Sequence, residues 1–365
     1  MKNKTKPQNY HDYLKLESLL SCQKLLSDEV GETAHDEMLF IITHQVYELW
    51  FKQILFELDS IFKVFDRDNI DESHIGVVVG RLERINEIQQ LLIDQIKILE
   101  TMTPMDFLNF RDLLTPASGF QSAQFRLIEN KFGLKNINRH GYGGVDYKSK
   151  IDKRETELVQ ESEQSLSLFD LIEQWLERTP FLVFDEFDFW DQYRVAVQRM
   201  ITKDKNIIKV NEKLPKDERD NYLKQYKSTE KMFMSFFDEE IFSKRLESGE
   251  NRLSYKATHA ALLILLYRDQ PILHNPYRLL SKLIDLDELL TTWRYKHYLL
   301  ATRMIGRKIG TGGSVGASYL KKATSKHRIF DDLTSLTTFL IPRSDLPDLP
   351  KKVLKSLSFY YESKG

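Results

Sequence analysis

A single cysteine, Cys22, among 365 residues excludes an intrachain disulfide and fits a reducing compartment. No apolar run approaches the length of a membrane span, the longest being Met38–Ile42 and Ala260–Tyr267. The opening residues Met1-Lys2-Asn3-Lys4-Thr5-Lys6-Pro7 lack the apolar core of a secretory signal, so the cytoplasm is the expected location. An excess of either charge is missing too. Lys plus Arg number 53 against 54 Asp plus Glu, a net charge of -1 that gives no reason to expect a nucleic-acid or membrane partner. None of the nine histidines forms an HxxxH pair, and no CxxCH occurs. The zinc-protease helix and covalently attached haem are therefore excluded. Nucleophile elbow, P-loop, dinucleotide fingerprint and kinase signatures are likewise absent.

Proline is scarce where it matters. None lies between Pro7 and Pro104, Pro116 and Pro180, Pro215 and Pro271, or Pro276 and Pro342. These gaps carry Leu, Glu, Lys, Gln and Ile at helical spacing, with almost no strand-like alternation. The pattern predicts helices at about 33–66, 70–102, 153–178, 216–247, 252–268 and 274–304. Asp71, followed by Ser73, is a candidate N-cap of the second; Ser254 and Asp285 are either caps or helix-surface residues. The first helix is apolar nearly all round, from Phe40 to Phe56, and is expected to be central and covered on several sides. The charged 216–247 stretch is expected at the periphery as a hairpin arm. Residues 136–150, with Gly141, Gly143 and Gly144, are expected to form a mobile loop. The fold class expected is all-α. One large domain spans 1–365, with an N-terminal arm over 1–32 and a helical insertion at about 180–250.

The richest stretch is 293–316. Trp293, His297, Leu300 and Met304 share one largely apolar helical stripe. A histidine there is either a tethered core residue or a ligand pointing into a cavity. Gly310, Gly312, Gly313 and Gly316 then surround Thr311 and Ser314, a loop whose backbone N–H groups can approach a carboxylate closely. His44 lies inside the apolar helix on the face of Phe40 and Phe51, where a core histidine bonded to a carbonyl is the plainer alternative. Arg111 follows Phe107 by one turn. It suits bidentate capture of a carboxylate, or a salt bridge to Asp112. Ser118 sits in a small-residue turn, Pro116-Ala117-Ser118-Gly119. Tyr10, Tyr13 and Leu14 share a face of a short N-terminal helix that either docks on the core or serves a site.

Together these segments resemble one family, tryptophan 2,3-dioxygenase. The matching blocks are His35-Asp36-Glu37; Leu39 to Gln53, including Phe40 and His44; Asp106-Phe107 with Phe110-Arg111; and Pro116 to Ser122. Trp175 to Pro180, Arg252-Leu253-Ser254-Tyr255 and the 293–316 stretch complete them in the family's order. The resemblance implies a haem-dependent dioxygenase that inserts both atoms of O₂ across indole C2–C3 of L-tryptophan. The product is N-formyl-L-kynurenine, the first step of tryptophan catabolism by the kynurenine pathway. It implies a helical bundle with haem b (iron protoporphyrin IX), one per subunit, buried between helices, in a homotetramer built as a dimer of dimers.

By the same resemblance His297 is the axial ligand of the haem iron and His44 the distal histidine bonding the indole N–H. Arg111 and Thr311 hold the substrate's charged end, Phe40 and Phe107 wall the indole, and Ser118 lies near the haem edge. Tyr10, Tyr13 and Leu14 complete a neighbouring subunit's pocket. Two departures stand out: Val315 replaces a common serine, and His140-Gly141-Tyr142-Gly143-Gly144-Val145 is less charged than usual. Competing readings are an indoleamine dioxygenase with broader substrates and a silent helical scaffold or haem sensor.

Overall fold

The proline-free stretches fold as helices, and their capping residues decide where each one stops. A computed structural model describes residues 8–66, 70, 72–135, 147–178, 183–184, 187–306, 308, 310–311, 320–321, 324 and 327–357. Three short helices, α1 (Tyr10–Leu14), α2 (Leu16–Leu20) and α3 (Leu26–Glu29), lead into the long α4 (His35–Phe65) and α5 (Glu72–Leu99). Then come α6 (Pro104–Arg111), α7 (Ala123–Phe132), α8 (Lys153–Gln164) and α9 (Leu168–Glu177). A two-residue antiparallel pair, β1 (Val183–Phe184) and β2 (Phe187–Asp188), holds the only strands among the described residues. It precedes α10 (Phe189–Val210), α11 (Lys216–Phe236), α12 (Glu239–Ser248), α13 (Tyr255–Leu266), α14 (His274–Ile305), α15 (Asp331–Ser335) and α16 (Lys351–Leu357). The class is all-α. Among the described residues no helix is long and apolar enough to cross a membrane.

Helix α5 is the axis of the molecule, with α4 on one flank and α14 on the other. Ile75, Val78, Leu82 and Ile85 recur at helical spacing on α5 and are fully buried. They meet Ile54, Leu58 and Ile61 of α4 and Leu279, Leu283, Leu286 and Leu290 of α14 in one continuous core. Each such side chain contributes about 1.5–3 kcal/mol. Polar ties set the register. Asn86 donates to the Lys282 carbonyl at 3.0 Å and Arg278 pairs with Glu83 at 2.8 Å, so α5 and α14 run parallel. Arg84 pairs with Glu57 at 2.8 Å, and Tyr47 donates to the Leu92 carbonyl, so α4 runs antiparallel to α5.

Two expected helices are each broken in two. The 153–178 stretch stops at Ser165 and restarts at Ser167, whose hydroxyl and Asp170 form a reciprocal capping box on α9. The 216–247 stretch breaks at Phe237, and Asp238 caps α12. The 216–247 stretch lies largely at the surface, with only Phe233, Ser235 and Phe236 of α11 buried, but α11 pairs with α10, a helix not expected, which puts Phe189, Tyr193, Ala196, Val197 and Ile201 into the core. Ser254 is a cap, accepting from the Ala257 N–H at 3.2 Å, whereas Asp285 pairs with Lys282 inside α14. The candidate cap Asp71 and most of the 136–150 loop (136–146) lie outside the described residues.

Helix α4 is less completely covered than its composition suggests. Ile42, Leu49 and Phe56, spaced seven apart, are 44%, 51% and 69% exposed. They form one apolar stripe facing outward.

Two of the sequence blocks prove to be halves of one structural joint. Ser254 donates its N–H to Glu173 at 2.7 Å and its hydroxyl to Glu177 at 2.5 Å. Arg252 reaches the carbonyls of Gly133 (2.7 Å) and Ile329 (3.1 Å) and lies 4.0 Å over the Phe169 ring. Gly133 closes α7 at φ +114, and a Cβ there would come within 2.6 Å of Phe169, so only glycine fits. Similarly, Glu37 of the first block accepts from the N–H groups of Leu26 and Ser27 at 2.8 and 3.0 Å, fastening the N-terminal arm to α4.

Candidate active site

A largely apolar cavity of about 280 Å³ opens between α4, α6 and α14. It gathers Phe40, His44, Phe107, Arg111, Ser118, His297 and Thr311, which lie up to 271 positions apart in the chain (Phe40 to Thr311). The long helices bring them together. Tyr47 on α4 and Trp293 on α14 touch, which sets His44 and His297, one turn beyond or before them, on walls of the same space. Thr103 and Asp106 form a capping box that starts α6, and Pro104 occupies its first position, aiming Phe107 and Arg111 inward.

His44 combines both readings of its sequence context. Its Nδ1 lies 2.7 Å from the Phe40 carbonyl, the bond expected of a helix-core histidine, and its ring packs on Phe40 with centroids 4.1 Å apart. That bond takes the Nδ1–H, leaving the Nε2 lone pair free to accept. His44 keeps solvent-accessible surface and lines the cavity. Burial pushes its pKa below the usual 6.5, against smaller upward effects of the Phe40 carbonyl and the Glu48 carboxylate. The imidazole is neutral near pH 7.

His297 is different. Neither ring nitrogen has a hydrogen-bond partner among the described residues, so the tethered-core alternative does not hold. Burial, and secondarily His44 across the cavity, push its pKa down to about 4. A neutral imidazole with an unengaged nitrogen in an apolar cavity is the donor that a haem iron takes. The flanking apolar side chains Leu99, Met102, Leu300 and Met304 suit a porphyrin face. The donor chemistry therefore fits haem.

Arg111 does pair with Asp112 at 3.0 Å, but the partners differ: Asp112 is 89% exposed and the arginine 18%. A pair so open on one side is worth little, and it leaves the guanidinium on the cavity wall. Phe40 and Phe107 stand 5.8 Å apart, with Phe110 edge-on behind both. Ser118 caps a single helical turn over Gly119–Gln121, its hydroxyl accepting the Phe120 N–H at 3.4 Å and Gln121 reaching back to its own N–H. Thr311 and Gly310 line the cavity beyond the end of α14; Gly312, Gly313, Ser314, Val315 and Gly316 lie outside the described residues.

Tyr10, Tyr13 and Leu14 are not brought to this cavity. They lie on α1, exposed by 75%, 72% and 39%.

Sequence reasoning missed a buried ion network at the cavity margin. Glu129 accepts from Arg126 and from Arg294, both at 2.8 Å, and Arg294 also donates to the His327 carbonyl. All three charged side chains are less than 5% exposed. The available signal was Arg294, which shares a helical face with the apolar Leu283 and Leu290.

A family profile described as Tryptophan 2,3-dioxygenase matches residues 1–340. The chain is 53% identical to the tryptophan 2,3-dioxygenase of Bdellovibrio bacteriovorus over 97% of its own length and 99% of that protein. It is 48% identical to that of Dictyostelium discoideum (96% of this chain, 88% of the relative) and 45% to that of Xenopus tropicalis (95% and 86%).

Proposed function

The chain belongs to the tryptophan 2,3-dioxygenase family, and from that membership we propose how its own residues carry out the reaction. The activity is oxidation of L-tryptophan by O₂ to N-formylkynurenine. His297 holds the iron of one haem b per subunit, a role supported by its neutral, unengaged imidazole. When bound, the haem supplies the redox chemistry of O₂ activation, which none of the side chains can provide.

Everything else is binding and orientation. Arg111 presents a planar fork to the substrate carboxylate, and the Thr311 hydroxyl bonds the same charged end. Phe40 and Phe107 enclose the indole and exclude water, with Ser118 at the cavity margin. His44 accepts the indole N–H at Nε2, its Nδ1–H already committed to Phe40. It orients rather than deprotonates: an indole N–H is a very weak acid, and an imidazole with a depressed pKa is a poor base for it. Fixing both ends of the amino acid presents indole C2–C3 in one pose, a proximity contribution.

Self-association into a homotetramer, a dimer of dimers, belongs to the same reading. The outward stripe of Ile42, Leu49 and Phe56 and the exposed Tyr10, Tyr13 and Leu14 support it, the latter three reaching a neighbouring subunit's pocket. The chain forms a single dioxygenase domain, with α10–α12 as its helical insertion, acting in the cytoplasm.

The observation that carries the proposal is the meeting of two neutral histidines, Arg111 and Thr311 in one apolar cavity. The test is to incubate haem-loaded, reduced protein with L-tryptophan under ¹⁸O₂ and weigh the product. N-formylkynurenine carrying both labelled atoms is expected; incorporation of one atom, or none, refutes the proposal.

A further inference from the structure

Histidines that hold a metal usually donate their second ring N–H to a carboxylate or carbonyl, which fixes the plane of the ring. His297 has no such acceptor among the described residues. What it has is an indole: the Trp293 ring lies one helical turn away with centroids 5.3 Å apart and planes at 33°. Trp293 is itself held. Phe125 packs against it at 5.1 Å, and its Nε1–H donates to the Tyr47 hydroxyl at 3.4 Å.

That hydroxyl is a junction of three helices. Tyr47 belongs to α4, three residues after His44, and donates to the Leu92 carbonyl of α5 while accepting from Trp293 of α14. Both its hydrogen-bonding capacities, donor and acceptor, are used. The ring is buried beside Phe51 and Trp293, and burial pushes the phenol up to about 12, so it stays protonated and able to donate. One atom thus spaces the helix bearing His44 from the helix bearing His297.

We infer that Trp293, braced by the Tyr47 hydroxyl, is a positioning residue for His297: its ring, packed one turn away, sets the imidazole plane, a hydrogen-bond acceptor for the ring being absent among the described residues. The inference rests on His297 as iron ligand. Neither Trp293 nor Tyr47 acts on the substrate's charged end, which is held by Arg111 and Thr311 at the far end of α6 and α14.

The experiment compares wild type, Trp293→Leu, Trp293→Phe, Tyr47→Phe and the Tyr47→Phe/Trp293→Phe double variant as haem-loaded ferrous proteins. The readouts are the iron–histidine stretching band by resonance Raman, kcat, and KM for tryptophan. In Trp293→Leu the band shifts and broadens and kcat falls roughly tenfold, with KM within about twofold of wild type. Trp293→Phe, which restores an aromatic face, recovers most of the band shape. Tyr47→Phe shifts the band in the same direction by less, and the double variant is no worse than the more affected single one, because both lose the same hydrogen bond. An unshifted band in Trp293→Leu, or in Tyr47→Phe should Trp293→Leu not fold, overturns the inference. A wild-type protein with no iron–histidine band overturns the ligand assignment instead.

Discussion

Arg111 pairs with an exposed aspartate and lines the cavity with the same guanidinium, so its role turns on geometry rather than on charge. Lysine keeps the charge but not the two parallel N–H donors. Arg111→Lys should raise KM for tryptophan by at least tenfold, from a loss of about 1.5–3 kcal/mol in charge-assisted bonding, with haem content unchanged. Steady-state kinetics with haem quantified in the same sample checks this; an unchanged KM removes the carboxylate grip from Arg111. The identity of such residues was legible from their local setting: aromatics at one turn from Arg111, an apolar stripe around His297, glycines around Thr311. The pairing of Glu129 with Arg126 and Arg294 was not. A charged residue reads as a solvated surface until a partner 165 positions away is known to share its burial.

At the scale of elements, helical periodicity located the long helices α4, α5 and α14, but not α10 (Phe189–Val210), nor the breaks within 153–178 and 216–247. Ser167 and Asp238 are ordinary polar residues in a helical pattern, and only the local hydrogen bonds they make decide that a helix ends beside them. The Ser254–Glu173–Glu177 joint was visible as two motifs, yet its meaning depends on α9 packing against α13.

Helix α13 also carries a titratable group in an aromatic nest. His259 is 2% exposed, bonds the Tyr255 carbonyl through Nδ1 at 2.8 Å, and packs against Trp190, Phe236 and Tyr255, with Nε2 unpartnered among the described residues. Burial pushes its pKa from 6.5 down to about 4. Above pH 6.5 both folded and unfolded chains hold it neutral, so it adds no pH dependence. Between pH 6.5 and about 4 the unfolded chain binds a proton that the folded chain refuses, and about 3 kcal/mol of stability is lost across that window. His259→Phe should flatten this part of the stability profile by about one proton. Denaturant titrations of both proteins at several pH values from about 7 down to about 4.5 measure it. Parallel profiles would place the acid sensitivity elsewhere.

For the whole molecule, the all-α class followed from where proline is missing, and the continuity of the core from apolar periodicity on three long helices. The outward stripe on α4 did not follow. Apolar residues on every side of a helix look the same in sequence whether they meet another part of the chain, a cavity or a partner. Here α4 faces all three kinds of surroundings: the α5 core, the cavity at Phe40 and His44, and an open stripe at Ile42, Leu49 and Phe56 assigned to self-association. In the proposed reading, substrate and assembly surfaces thus lie on one helix, facing His297 of α14 across the cavity. Native mass spectrometry of the haem-supplied protein beside its His297→Ala variant tests the attachment of haem most directly. Wild type should fly as a tetramer with one haem per chain, and the variant as the same assembly without haem; a variant that keeps one haem per chain contradicts His297 as the residue that holds it.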